Sequence, residues 1–232
     1  MSVLFLIIVA IGLPFLSALS YKNIKKLEAQ QEDLQLAKTP IYLQAMVLQL
    51  VLFAIAFFAA KLGNIKIEIT SKLTATSIIA AVVFLILALS IAWASQKYSK
   101  QKEESTLHHL LPDTGRDRIV WIIACMVAAF CEEYVYRGML FQLMLLQTNE
   151  IWIAAAILSA VIFAFGHGTQ GEKAIVQIIP FALGFHLLVY FSGGLLISMI
   201  VHFFYNILVE LLFGRKIKEE SQPTSNSPNR DS

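Results

Sequence analysis

Long apolar segments separated by short polar ones dominate the pattern along this chain. They predict seven membrane-spanning helices, at residues 3–19, 41–60, 73–94, 119–147, 151–165, 174–191 and 195–213. A helix needs about 20 mainly apolar residues to cross the hydrocarbon core of a bilayer. Pro14 interrupts the first segment, and tight turns are expected at Asn149-Glu150 and at Gly193-Gly194. The pattern therefore predicts an all-α, polytopic transmembrane helical bundle of about seven spans.

The composition excludes several other classes of protein. Hydrophobic residues make up 57% of the 232 positions, and the mean hydropathy is +0.68, more than a soluble domain of this size needs. The formal net charge of +2 is too small to indicate a nucleic-acid partner. Cys125 and Cys131 lie six residues apart on one predicted helix and face different directions, so neither a disulfide framework nor a metal–thiolate site is expected.

The chain is expected to have three parts. Residues 1–114 form three N-terminal spans and their loops, residues 115–213 form a helical core, and residues 214–232 form a charged tail rich in Ser, Pro and Asn that is expected to be disordered. Most lysines and arginines fall in the loops after spans one, three and five and in the tail. The positive-inside rule then predicts an outside N-terminus and a cytoplasmic C-terminus.

An acidic and basic cluster lies inside the fourth span, at Glu132, Glu133 and Arg137. Ionisable residues at membrane depth face the protein interior or a water-filled cavity and are functional candidates. Residues four apart share a helix face, so Glu133 and Arg137 are expected to pair, whereas neighbouring Glu132 and Glu133 are not expected to point at one small site. Glu132 is left without a local cation in an apolar setting, which suits a general base. The alternative is that all three residues only join helices.

Two further pairs at helical spacing contain polar residues. Phe163 and His167 end the fifth span, and His202 and Asn206 share a face of the seventh, where both are expected to project into one cavity. A lone histidine in a span is often a hydrogen-bonding link between helices. Polar groups on three different spans favour a site instead, since sites in helical bundles are built from facing helices.

These residues suggest hydrolysis of a peptide bond without a covalent intermediate. Glu132 with His167 can bind and deprotonate water, while His202 and Asn206 can donate hydrogen bonds to the oxyanion. A serine mechanism is less favoured, because Ser159, Ser192 and Ser198 lack an obvious histidine–carboxylate partnership by spacing. A zinc site formed by Glu132, His167 and His202 is the open alternative.

The order and spacing of these motifs resemble the CPBP family, which contains type II CAAX prenyl proteases and bacteriocin-processing or self-immunity membrane proteins. The resemblance rests on Glu-Glu-x-x-x-Arg at 132–137, Phe-x-x-x-His at 163–167 and His-x-x-x-Asn at 202–206, and it covers roughly residues 115 to 210. It implies an intramembrane endopeptidase in which Glu132 and His167 activate water. By the same resemblance His202 and Asn206 serve the oxyanion, while Glu133 and Arg137 support the site. Family members are described both as metalloproteases and as glutamate proteases.

The resemblance also implies a substrate that is a membrane-associated peptide or protein. The compact chain with short loops is expected to be an integral protein of a bacterial plasma membrane. One alternative is a non-proteolytic scaffold or regulator, such as an immunity protein or the partner of a sensor. A proton-coupled transporter is a third hypothesis, although the inverted repeat expected of many transporters is not visible.

Overall fold

The computed structural model describes residues 1–29, 37–98 and 111–221, and all regular structure within these ranges is helical. The elements along the chain are α1 (Ser2–Ile7), a π-helical segment (Ile8–Gly12), α2 (Leu13–Ala29), α3 (Lys38–Leu62), α4 (Ala75–Tyr98), α5 (Gly115–Glu132), a second π-helical segment (Glu133–Leu140), α6 (Phe141–Gln147), α7 (Trp152–Gly166), a 3₁₀ turn (Gly168–Gln170), α8 (Glu172–Ser192) and α9 (Leu196–Ser221).

The architecture confirms the predicted all-α membrane bundle. Within the described ranges, six helical stretches are long and apolar enough to cross a membrane: Ser2–Lys26, Lys38–Leu62, Ala75–Ser95, Gly115–Gln147, Glu172–Ser192 and Leu196–Gly214. The fifth predicted span corresponds to α7, which has only 15 residues. At 1.5 Å per residue α7 is about 22 Å long, shorter than the roughly 30 Å hydrocarbon core.

Pro14 does not interrupt the first helical stretch, contrary to the sequence expectation. The π-helical segment Ile8–Gly12 ends just before it, and the helix continues to Ala29. Proline lacks a backbone N–H and its ring crowds the preceding turn, and a locally widened helix relieves both problems.

The core lies where α3, α5 with the second π-helical segment, and α7 meet. The α3 helix packs along α5, α7 packs against α8, and α9 contacts both α4 and α5. Buried alanines line α3 and α7, at Ala56, Ala59, Ala60, Ala155, Ala156 and Ala160. Small side chains let helix backbones approach closely, which is the usual source of helix association in lipid.

Two features fix the start of α5 beside α3. Thr114 and Asp117 form a reciprocal capping box at the helix N-terminus. The hydroxyl of Thr39, near the start of α3, donates a 2.7 Å hydrogen bond to the Asp117 carboxylate. This hydrogen bond therefore joins the N-terminal ends of the two helices.

An extended segment between α3 and α4, residues 65–72, crosses the N-terminus of α9, and we call it the strap. The amides of Leu195 and Leu196 donate hydrogen bonds of 3.1 and 2.9 Å to the carbonyls of Glu68 and Ile69. The Ile197 amide donates to the Ser71 hydroxyl over 3.1 Å. The strap thus satisfies amides that a helix N-terminus leaves without intrahelical partners.

The tail begins later than the sequence predicts. The α9 helix does not end near Gly214 but continues to Ser221. The remaining tail residues, 222–232, lie outside the described residues.

Candidate active site

The carboxylate of Glu132 lies at the meeting point of α3, α5, α7 and α9. Glu132 is the last residue of α5 and is 8% exposed. Its Oε1 atom accepts a 2.6 Å hydrogen bond from Gln49 Nε2 of α3. Its Oε2 atom is 3.9 Å from Nε2 of His167 and 3.9 Å from Nε2 of His202. One carboxylate oxygen is therefore bonded and the other faces two imidazoles.

Glu133 is fully buried and holds three partners. Arg137 Nη1 lies 3.1 Å from Oε1, across the i,i+4 spacing that the sequence suggested. His202 Nδ1 lies 3.0 Å from the same oxygen, and the Ser198 hydroxyl donates a hydrogen bond to Oε2. Ser198 and His202 bring hydrogen bonds and Arg137 brings an opposite charge, as a carboxylate taken out of water requires.

Aromatic rings enclose the Arg137 guanidinium. Its central carbon lies 4.3 Å from the ring centroid of Phe163 and 5.0 Å from that of Phe185. A cation over an aromatic face is stabilised by the ring quadrupole, most strongly where water is excluded. Phe163, the first residue of the Phe-x-x-x-His motif, therefore packs on the arginine of the first motif.

The second π-helical segment carries Glu133 and Arg137, and all eight of its residues are buried. Such π-helical turns are rare and occur often at functional sites, because they alter which side chains share a face. No hydropathy pattern reveals this local widening, so the sequence alone predicts a regular helix here.

His167 caps the C-terminal end of α7 with a fixed ring orientation. Its Nδ1 atom is 2.9 Å from the carbonyl oxygen of Phe163. A carbonyl oxygen only accepts, so Nδ1 carries the proton, and in the neutral ring Nε2 keeps a lone pair facing Glu132. This arrangement suits a histidine that binds or takes a proton from water.

His202 bridges the two glutamates, which corrects a sequence expectation. Glu132 and Glu133 were expected to point away from a common small site, yet His202 contacts Glu133 through Nδ1 and faces Glu132 through Nε2. The two nitrogens lie on different edges of one imidazole ring, so carboxylates that leave the helix in different directions reach the same residue.

A cavity of about 110 Å³ opens beside Glu132. It is lined by Leu13, Leu48, Gln49, Leu52, Glu132, Val135, Tyr136, Gly166 and His167. A water molecule takes up about 30 Å³ in the liquid, so the space accommodates a small water cluster next to a carboxylate and an imidazole.

His202 and Asn206 are not among the residues that line this cavity, and their projection into one common cavity stays a prediction. Asn206 lies one turn after His202 on α9 and is partly exposed. The structure therefore brings Glu132, His167 and His202 together, and leaves Asn206 on the adjoining turn.

Two polar residues of the site were missed or undervalued in the sequence. Gln49 is an amide within the apolar stretch of α3, and the rule that flags polar residues in spans could have found it. Ser198 was considered only as a nucleophile, although it lies one turn before His202. It is fully buried and donates its hydroxyl to Glu133 rather than to a histidine, so its role is to hold that carboxylate.

The alternative zinc set of Glu132, His167 and His202 has Oε2 of the carboxylate 3.9 Å from each imidazole Nε2 atom and stays a prediction. Among the described residues, no group of three or more His, Cys, Asp and Glu side chains is arranged to hold a metal ion.

Comparison with known proteins bears on the second half of the chain. The family described as type II CAAX prenyl endopeptidase Rce1-like matches residues 115–208. The match runs from the start of α5 into α9 and confirms the resemblance to the CPBP family. It supports a membrane-embedded protease acting on peptides. No curated protein and no solved structure matches the chain.

Proposed function

We propose that this chain, whose residues 115–208 are Rce1-like, is an intramembrane endopeptidase that hydrolyses a peptide bond of a membrane-associated peptide or protein. The observation that carries the proposal is the position of Glu132 Oε2, which borders a water-sized cavity and faces the Nε2 atoms of two histidines. That arrangement supplies a base, a water site and a donor within one buried region.

Glu132 and His167 act on the attacking water. In this mechanism a cavity water bonds to Glu132 Oε2 and His167 Nε2, and Glu132 takes its proton as the water oxygen attacks the substrate carbonyl carbon. Glu132 then gives the proton to the amide nitrogen as the carbon–nitrogen bond breaks. Leu48 and Leu52 border the same space and exclude bulk water, which strengthens the electrostatic interactions of the site.

His202 serves the oxyanion in its doubly protonated form. Glu133, which Ser198 holds in turn, occupies the Nδ1 side of the ring, so an Nε2–H for the oxyanion requires a proton on both nitrogens. With His202 protonated, the two buried carboxylates are balanced by two cations, His202 and Arg137. Asn206, on the next turn of α9, is proposed as the second donor to the oxyanion.

The decisive experiment is cleavage of a quenched fluorescent peptide library by the purified full-length protein in detergent. We expect Glu132→Gln to lower kcat by about 10²–10⁴-fold, the usual contribution of a general base. Glu150→Gln is the matched control, because Glu150 lies exposed in the turn before α7 and its loss is expected to leave cleavage unchanged.

Chelation separates the two mechanisms. Cleavage that persists with a chelator supports the glutamate mechanism, whereas loss that added zinc restores would make Glu132, His167 and His202 metal ligands. If Glu132→Gln cleaves like the wild type, the protease proposal is refuted. If the wild type shows no cleavage and the Glu132→Gln variant still performs the cellular role, the scaffold or regulator hypothesis is favoured.

The remaining organisation is part of the same proposal. Residues 115–213 act as the catalytic core, residues 1–114 complete its walls, and the chain resides in a bacterial plasma membrane with a cytoplasmic C-terminus. Fusion of a reporter that is fluorescent only in the cytoplasm to the C-terminus tests this orientation.

A further inference from the structure

We propose that Gln49 is a positioning residue that holds the carboxylate of Glu132 in the orientation in which it acts as the base. This inference rests on the proposed function. It assigns a role to a residue of α3, outside the segment that the Rce1-like family matches.

The contact between the two residues is direct and charge-assisted. Gln49 Nε2 donates to Glu132 Oε1 over 2.6 Å, joining residues 83 positions apart in the chain. Hydrogen bonds to an ionised group are shorter and roughly twice as strong as neutral ones. The bond is the polar link between the middle of α3 and the end of α5, which pack along each other.

The bond determines how the carboxylate is turned. The terminal torsion of a glutamate is broad and roughly two-fold, so it does not by itself fix which oxygen faces the histidines. With Oε1 held by Gln49, Oε2 is the oxygen that lies 3.9 Å from both His167 Nε2 and His202 Nε2. Without Gln49, the carboxylate is free to rotate out of the orientation in which one oxygen faces both imidazoles.

Gln49 lies where a side-chain amide needs a hydrogen-bond partner. The amide belongs to a membrane-length helix, where a polar group is costly unless it is hydrogen-bonded. It lines the cavity together with its apolar neighbours Leu48 and Leu52. An amide here therefore supplies the carboxylate with a donor from the α3 wall of the cavity.

The test compares kcat and KM for two size-conserving variants on the same helix. Gln49→Met removes the donor, and Gln44→Met makes the same change at an exposed position five residues earlier. We expect Gln49→Met to lower kcat by about 10- to 100-fold with KM within about two-fold of wild type, because a hydrogen bond to a charged group is lost. Gln44→Met is expected to match the wild type.

Gln49→Asn keeps the amide on a shorter side chain and guards against loss of folding. We expect its kcat to fall between those of the wild type and Gln49→Met. Wild-type kcat in Gln49→Met, where Glu132→Gln is inactive, overturns the Gln49 inference and leaves the protease standing. A raised KM with unchanged kcat also overturns it, because Gln49 would then bind substrate rather than position the base.

If the wild type shows no cleavage that depends on Glu132, the proposed function is refuted independently of the Gln49 inference. The contact is then measured by thermal unfolding of Gln49→Met, Glu132→Met and the double variant. Strictly additive changes in Tm overturn the contact, and non-additive changes support it.

Discussion

Replacing Arg137 by methionine tests whether the buried charge pair holds the site together. Arg137 and Glu133 both have fully buried side chains, with Nη1 and Oε1 3.1 Å apart. Methionine keeps an unbranched apolar chain between the rings of Phe163 and Phe185, so the change removes the charge more than the packing. Among the described residues, Glu133 then retains Ser198 and His202 as partners.

The magnitude follows from the burial of both groups. Breaking a buried pair by removing one partner costs about 3–5 kcal/mol, because an uncompensated charge stays in the interior. Removing both charges is often close to neutral. We therefore expect Arg137→Met to lose about 3–5 kcal/mol of stability, and Arg137→Met with Glu133→Gln to regain a large part of that loss.

Unfolding in mixed micelles of increasing sodium dodecyl sulfate content, followed by tryptophan fluorescence, measures these changes. Arg116→Met is the matched control, since Arg116 lies exposed at the start of the same helix. Its loss is expected to change stability by less than about 0.5 kcal/mol. An Arg137→Met variant as stable as this control, or a double variant less stable than the single one, would refute the reasoning.

Two further substitutions test the strap and the anchor of Glu133 by the same unfolding assay. A Cβ at Gly194 would come within 2.2 Å of a backbone carbonyl oxygen of the strap, so Gly194→Ala is expected to cost about 1–3 kcal/mol through overpacking. Gly115→Ala, where a Cβ meets nothing within 4 Å, should be near neutral, and equal stability of the two variants would contradict the packing argument. Ser198→Ala removes a donor to the buried Glu133 carboxylate and is expected to cost about 1–3 kcal/mol. Ser90→Ala, at an exposed hydroxyl, is its control, and a loss no larger than that of Ser90→Ala would count against the anchor.

Much of the fold was predictable from the sequence because membrane helices are recognised by their length and their apolar composition. The six long helical stretches agree with six of the seven predicted spans. The exceptions have local causes. Apolarity alone does not distinguish α7, at 15 residues, from a full span. A π-helical turn contains one extra residue, and the hydropathy pattern along the chain does not reveal it.

The site was partly predictable, since helical spacing reports only neighbours on one helix. It suggested the approach of Glu133 and Arg137, which the structure contains. It could not pair Gln49 with Glu132, because no spacing rule links residues on different helices. The role of Asn206 stays a prediction, because a shared helix face does not by itself show that two residues reach one cavity.

The strap has a consequence for how the chain is assembled in the membrane. Its carbonyls are synthesised well before the amides of Leu195 and Leu196 that they bind. The last helix therefore docks onto a segment that the ribosome released much earlier, and its buried N-terminus is complete only after that docking. Truncation that removes either the strap or α9 leaves the other half of this junction without its hydrogen-bond partner.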